Sequence, residues 1–294
     1  MQCLHHLPGP PDLALWRQPS AGWPVLYVHG ATFPAALSVG YRFDGFSWAD
    51  ALERASFDVW GLDFPGYGAS RGVGDAPPFI TVDDVADQIH RAADFIINTS
   101  GYENVLLIAH SWGSLPAGLF ACLQPRAVKA LVLFGPIARR DGPASPPLPG
   151  WRLVSADDQY RRFIEDVPPE DQPVLSRDHF DAWAPAWLAT DPTQASRTPP
   201  SVRVPNAPYN HLGAAWAGNL AYDPAMLACP TLIVRGEWDS VCDSADMAWF
   251  ERTIRPELFN SATINRGTHL LHLEANRFAL YAATESFFSK YTES

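Results

Sequence analysis

Cysteine is scarce in this chain, and the four that occur (Cys3, Cys122, Cys229 and Cys242) are scattered without a C-x-x-C pair. That spacing argues against a disulfide framework or a thiolate metal site, and it reads as free thiols in a reducing compartment. Positive charge is short as well. The 294 residues carry 21 Lys and Arg against 32 Asp and Glu, a net charge of -11. Sequence-independent nucleic-acid binding needs a cationic surface that releases counterions, so that class is set aside. No apolar run approaches the length that spans a bilayer. Residues 1–11 lack the cationic stretch followed by an apolar one that marks a secretory leader. The expectation is a cytoplasmic protein without a membrane span, of unknown oligomeric state, whose partner is a small molecule. No repeat or low-complexity tract interrupts it, and 47% hydrophobic residues suffice for one large core or a core with a smaller layer.

What the sequence does contain is a recurring unit: a short β-rich apolar run, a turn, then a helical pattern. The runs are Val25–Val28, Phe57–Leu62, Val105–Ala109, Ala130–Phe134, Thr231–Val234 and a weaker Ala262–Ile264. Near-continuous apolarity predicts strands buried on both faces, and the alternation with helices predicts a parallel α/β sheet. One helix is predicted from Thr81, because Val82, Val85, Ile89, Ala93 and Ile96 recur at spacings of three and four. Thr81 and Asp84 stand at capping-box spacing, and Gly101 is its stop. A second helix is expected from about Trp112 to Leu123, with Pro116 in its first turn. The pattern breaks after Phe134. Residues 141–150 are rich in Pro and Gly, and from Trp151 to about Ala221 large aromatics crowd a stretch with few β runs. This reads as a helical insertion between two core strands.

The residues that carry chemistry follow strand ends. Ala109-His110-Ser111-Trp112-Gly113 comes directly after a strand and before a helix. A serine on such a turn is raised above the sheet edge, and small residues must flank it two positions away on either side. Outside that context it would be an ordinary helix-capping serine. His29-Gly30-Ala31-Thr32 ends the strand Val25–Val28, and a backbone N–H past an HG turn there can face a developing oxyanion. Asp63-Phe64-Pro65-Gly66-Tyr67-Gly68-Ala69-Ser70 is a glycine-bearing turn with an architectural role. Gly236-Glu237-Trp238-Asp239 follows another strand, while Gly135-Pro136, without an acid, follows the strand Ala130–Phe134. Asn265 to Glu274 holds two histidines, His269 and His272, ahead of the last helical stretch.

In this order the pieces resemble the serine hydrolases of the α/β-hydrolase fold superfamily, in particular the lidded esterase- and lipase-like members. Ala109 stands where the usual G-x-S-x-G has its first glycine. The resemblance implies an α/β fold with a mostly parallel sheet of about eight strands flanked by helices. It also implies a core of residues 1–138 and 223–294 with a helical lid over 139–222. It implies Ser111 as nucleophile, His269 as base in preference to His272, and Asp239, matching G-x-x-D where Glu237 does not, as the acid that orients the base. The backbone N–H groups of Ala31 and Trp112 are the implied oxyanion donors. Thr32, His110, Trp183 and Trp187 are candidates for contact with substrate. No metal or other cofactor is implied.

The expected activity is hydrolysis of a carboxylic ester, thioester or lactone of an apolar or aromatic small molecule through an acyl-enzyme on Ser111. Amide, C–C or acyl-transfer chemistry on the same three residues is the alternative, as is a ligand-binding protein without turnover. Relatives that hydrolyse epoxides or haloalkanes use Asp at the elbow, so Ser111 argues against those reactions. Glu165, Asp166, Glu170 and Asp171 read as a solvated acidic face rather than an amine site.

Overall fold

The structure, a computed structural model, describes residues 3–72 and 81–292. Residues 1, 2, 73–80, 293 and 294, which the domain expectation counts with the core, lie outside the described residues. The chain opens with an antiparallel pair that sequence patterning did not reveal, β1 (Cys3–Leu7) and β2 (Leu13–Gln18). Next come β3 (Pro24–Val28), α1 (Trp48–Arg54), β4 (Asp58–Asp63) and α2 (Val82–Ser100). They are followed by β5 (Val105–His110), α3 (Ser114–Leu123) and β6 (Val128–Phe134). The next segment holds β7 (Trp151–Ser155), α4 (Ala156–Ile164), α5 (Arg177–Leu188), β8 (Ser201–Pro205) and α6 (Ala207–Trp216). The chain closes with β9 (Thr231–Gly236), α7 (Ser244–Thr253), β10 (Phe259–Ile264) and α8 (Arg277–Thr292).

Eight strands form one sheet in the order β1-β2-β4-β3-β5-β6-β9-β10, parallel from β4 to β10. The pleat sorts its side chains by parity. Leu26, Val28, Leu107, Ala109, Leu131 and Leu133 pack under α2 and α3 with Val85, Ile89 and Leu115. Val25, Tyr27, Leu106, Ile108, Val132 and Phe134 pack under α1 and α8 with Trp48, Leu52 and Leu280. Each fully buried side chain of this kind contributes roughly 1.5–3 kcal/mol, so a strand slipped by one residue would exchange both cores at once. The helix α2 starts at a capping box, Thr81 with Asp84, and ends at Gly101 in the left-handed conformation, φ +77°.

Parallel register brings the C-terminal ends of the central strands to one edge. Val28 pairs with Ala109, His110 with Phe134, and Phe134 with Val234. The loops that leave β3, β5, β6 and β9 therefore emerge side by side, where ligands gather in open parallel sheets.

The segment between β6 and β9 differs from the all-helical expectation. Its strands β7 and β8 form a separate antiparallel pair, Val154 opposite Val202. Arg152 and Arg203 interrupt them, so neither shows the continuous apolar run that marks the core strands. Trp183, Trp187, Phe163, Phe180, Val202 and Val204 of this segment share one apolar cluster with core residues. Phe33 and Leu37 join it from the loop after β3, and Leu270 and Leu273 from the loop after β10. A continuous seam thus fixes the segment against the two loops nearest Ser111.

Candidate active site

Ser111 leaves β5 on a sharp turn, and its φ of +55° is one that L-residues rarely adopt. Such a backbone costs about 1–2 kcal/mol and persists only where surrounding structure enforces it. The enforcement is steric. A β-carbon at Gly113 would lie 2.6 Å from the carbonyl oxygen of His29 and 3.0 Å from that of Val28. Only glycine lets the turn 111–113 close over β3.

Three side chains from three loops meet here. The Ser111 hydroxyl oxygen lies 2.7 Å from Nε2 of His269. His269 Nδ1 lies 3.0 Å from both carboxylate oxygens of Asp239. A carboxylate only accepts, so Nδ1 carries the proton, and the lone pair of Nε2 faces the hydroxyl. Asp239 is held in turn by the backbone N–H groups of Val241 (2.9 Å) and Cys242 (3.0 Å). All three side chains are buried, with Ser111 the most accessible at 8%.

The competing residues are elsewhere. Glu237 accepts from the backbone N–H of Arg266 at the surface. His272 is buried among Phe33, His110 and Phe134, and neither of its ring nitrogens has a hydrogen-bond partner. Burial lowers its pKa to about 3, so it is a neutral packing residue. His211 accepts from the indole N–H of Trp112, and His179 faces Asp44 at the surface.

Further residues brace these loops. His29 donates through Nδ1 to the Gly30 carbonyl (2.7 Å) and accepts at Nε2 from the Phe64 N–H (3.2 Å). Burial lowers its pKa to about 4, which keeps the ring neutral as this bonding requires. The Tyr67 hydroxyl donates to the Ala31 carbonyl at 2.6 Å, so the turn of residues 63–70 fixes the peptide next to the candidate oxyanion donor. His110 stacks on Phe134 and donates through Nε2 to the His269 carbonyl (3.1 Å), and burial holds its imidazole well below the usual range.

Gly135 escaped sequence reasoning, and Glu274 was placed only as the end of the G-x-H-x-x-x-x-E stretch, without a role. Gly135 was read only as the absence of an acid after β6. A β-carbon there would lie 2.8 Å from Asp239 Oδ2 and 2.9 Å from His269 Nδ1, and its φ is +52°. The glycine is the floor on which the acid–imidazole pair rests. Glu274 accepts from both the N–H and the hydroxyl of Thr268, the residue before His269. Its position five residues after the histidine was the available signal.

Above Ser111 lies a cavity of about 40 Å³. Ala31, Thr32 and His110 line it from the core, whereas Gln159, Arg162 and Tyr209 line it from α4 and α6. The proposed substrate contacts Trp183 and Trp187 do not line it. Their rings stack on each other, and their indole N–H groups donate to the carbonyls of Leu37 (3.0 Å) and Thr32 (3.2 Å). They tie α5 to the loop after β3, because a buried indole N–H needs an acceptor and the loop carbonyls supply it. Tyr209 also borders a second cleft, of about 590 Å³, between residues 144–148 and α6.

Residues 42–276 match the family model described as Serine aminopeptidase, S33, of the hydrolases. A search of curated proteins finds no match. Among solved structures, this chain is similar to a serine hydrolase from the polyaromatic hydrocarbon-degrading bacterium Cycloclasticus zankles, with 14% identity, full coverage of both chains and a TM-score of 0.69. It is also similar to an esterase from Thermogutta terrifontis, with 21% identity, 99% of each chain and a TM-score of 0.60. An epoxide hydrolase from Vigna radiata is 19% identical over 98% of each chain, with a TM-score of 0.66. Such identities speak to the fold, which these proteins share across different chemistries.

Proposed function

The chain belongs to the serine aminopeptidase, S33 family of α/β-hydrolases, and on that premise we propose that it cleaves a carboxylic ester, thioester or lactone through an acyl-enzyme on Ser111. The observation that carries this reading is the chain of contacts from Ser111 Oγ to His269 Nε2 and from His269 Nδ1 to Asp239. His269 takes the hydroxyl proton as Ser111 attacks the carbonyl carbon, and Asp239 stabilises the imidazolium that forms. The tetrahedral oxyanion is received by the backbone N–H groups of Ala31 and Trp112, each worth about 3 kcal/mol in such a site. His269 then protonates the leaving group. Water activated by the same nitrogen releases the acid.

Residues 139–222 act in this reading as a lid on a core formed by 1–138 and 223–294. Ligand sites usually enclose about 300–1,000 Å³. The space of about 40 Å³ above Ser111 holds no such molecule, so the lid or Tyr209 must shift to admit substrate. Thr32 and His110 face that space and belong to the substrate contacts. The setting proposed is cytoplasmic, with a small-molecule substrate. No helix among the described residues is long and apolar enough to cross a membrane.

A panel of p-nitrophenyl esters, thioesters and p-nitroanilides tests the reading. Ester turnover is expected, and Ser111→Ala lowers it by about 10⁴-fold or more. Undiminished turnover in that variant would refute it.

A further inference from the structure

The cavity over Ser111 has two unlike walls. The core side is peptide backbone, Thr32, His110 and His269. The other side is built by Tyr209 of α6 and by one face of α4, where Gln159 and Arg162 stand three residues apart and so project together. Gln159 is 1% exposed, yet its amide nitrogen has no hydrogen-bond partner. A buried unpaired donor costs about 1–3 kcal/mol, which an apolar side chain would avoid. Arg162 brings a guanidinium to the same wall. Its Nη1 lies 2.7 Å from Glu165, whose side chain is half-exposed and does not line the cavity. Alongside burial and the neighbouring imidazoles, Arg162 is one of the influences that hold His110 below its usual range. Among the described residues that line the cavity there is no carboxylate.

A set of donors with one cation and no lining acid complements an anion of planar geometry. We propose that Gln159 and Arg162 form a carboxylate-binding subsite, so that the preferred substrate carries a free carboxylate on the molecule whose acyl carbon meets Ser111. An α-ammonium group, as on a peptide N-terminus, would meet a guanidinium where it needs an acid. This assignment rests on Ser111 being the nucleophile, and it refines the substrate class. Phe33, Phe163 and Leu270 remain as an apolar surface for the body of the molecule.

The test compares kcat/KM for mono-p-nitrophenyl glutarate with that for p-nitrophenyl valerate, a chain of equal length without the charge. The full chain is expected to favour the glutarate by about tenfold or more, mostly through KM. Arg162→Gln should bring that ratio to about one, and Gln159→Glu should invert it, because a carboxylate would then face a carboxylate. Leucine p-nitroanilide should be the poorest substrate. Labelling of Ser111 by a fluorophosphonate is measured on every variant, and if Arg162→Gln does not label, Gln159→Glu carries the comparison. A wild-type ratio at or below one with Ser111 labelled overturns the subsite and leaves the nucleophile standing. A ratio that persists in a variant that still labels overturns it too. Absence of both labelling and ester turnover in the wild-type chain removes the nucleophile, and this inference with it.

Discussion

The sheet core and the segment between β6 and β9 are built by different means. In the core, position comes from backbone. Parallel register delivers four loop ends to one edge, and glycines at 113 and 135 leave the space into which Ser111, His269 and Asp239 fit. In the segment, position comes from side chains. Stacked indoles, a short strand pair and an apolar seam hold it against the core, and Trp183 and Trp187 supply directed hydrogen bonds. The difference teaches that the two halves of the site have different tolerances. The proposed backbone-defined reaction centre should fail when a single methyl group is added at Gly113 or Gly135. A side-chain-defined wall can be repacked, which suits the proposed role of this segment as a lid that selects substrate and moves to admit it.

That contrast can be broken in three ways. The largest effect is expected from Gly135→Ala. Its methyl group would lie within 3 Å of both Asp239 and His269, and a displacement of about 1 Å in such a pair costs about 10²-fold in rate. A steady-state assay with circular dichroism should find turnover down by at least that factor in a folded protein. Near-normal turnover would mean the floor is soft.

A smaller effect concerns pH. Burial raises the Glu274 carboxyl from 4.5 to about 7, so the native state holds a proton that the unfolded chain has released over that window. The resulting stability is full below pH 4.5 and is lost as pH rises through about 7, up to roughly 3 kcal/mol. Glu274→Gln keeps an acceptor for Thr268 and cannot ionise. In paired denaturant titrations it should therefore gain on the wild type between pH 4.5 and 8. A constant difference across that range contradicts the assignment.

The smallest effect belongs to the segment. Trp187→Phe removes one hydrogen bond to Thr32 and some packing, at about 1–2 kcal/mol of stability. Melting should report that loss while KM for a neutral ester moves little. A large KM change at unchanged stability would return Trp187 to the substrate contacts.

How much was legible in the sequence follows the same division. The strands β3 to β6 and β9 announced themselves because apolar runs buried on both faces leave a local signature; β10, a part-exposed edge strand, did so only weakly through Ala262–Ile264, and the cap of α2 did so through Thr81 and Asp84. Ser111 could be named because it directly follows β5, whereas Asp239 and His269 were named from the family pattern they resemble in the loops after β9 and β10. β1 stayed hidden as an exposed edge strand with two histidines, and β7 and β8 as short pieces whose pairing is tertiary. Trp183 and Trp187 were misplaced for a related reason. Aromatic composition states that large rings are present, and only the fold decides whether they face a cavity or anchor a helix. Gly135 looked empty until the acid and imidazole above it were in place. Gln159 and Arg162 carried no motif at all, since a pocket wall is defined by what lies opposite.

Fluorophosphonate labelling followed by intact-mass measurement tests most directly whether one imidazole activates Ser111. The wild type and His272→Ala should each acquire a single adduct on Ser111 at similar rates, while His269→Ala should label at least about 10³-fold more slowly. Equal slowing in the two histidine variants, or an adduct on another residue, would contradict the account.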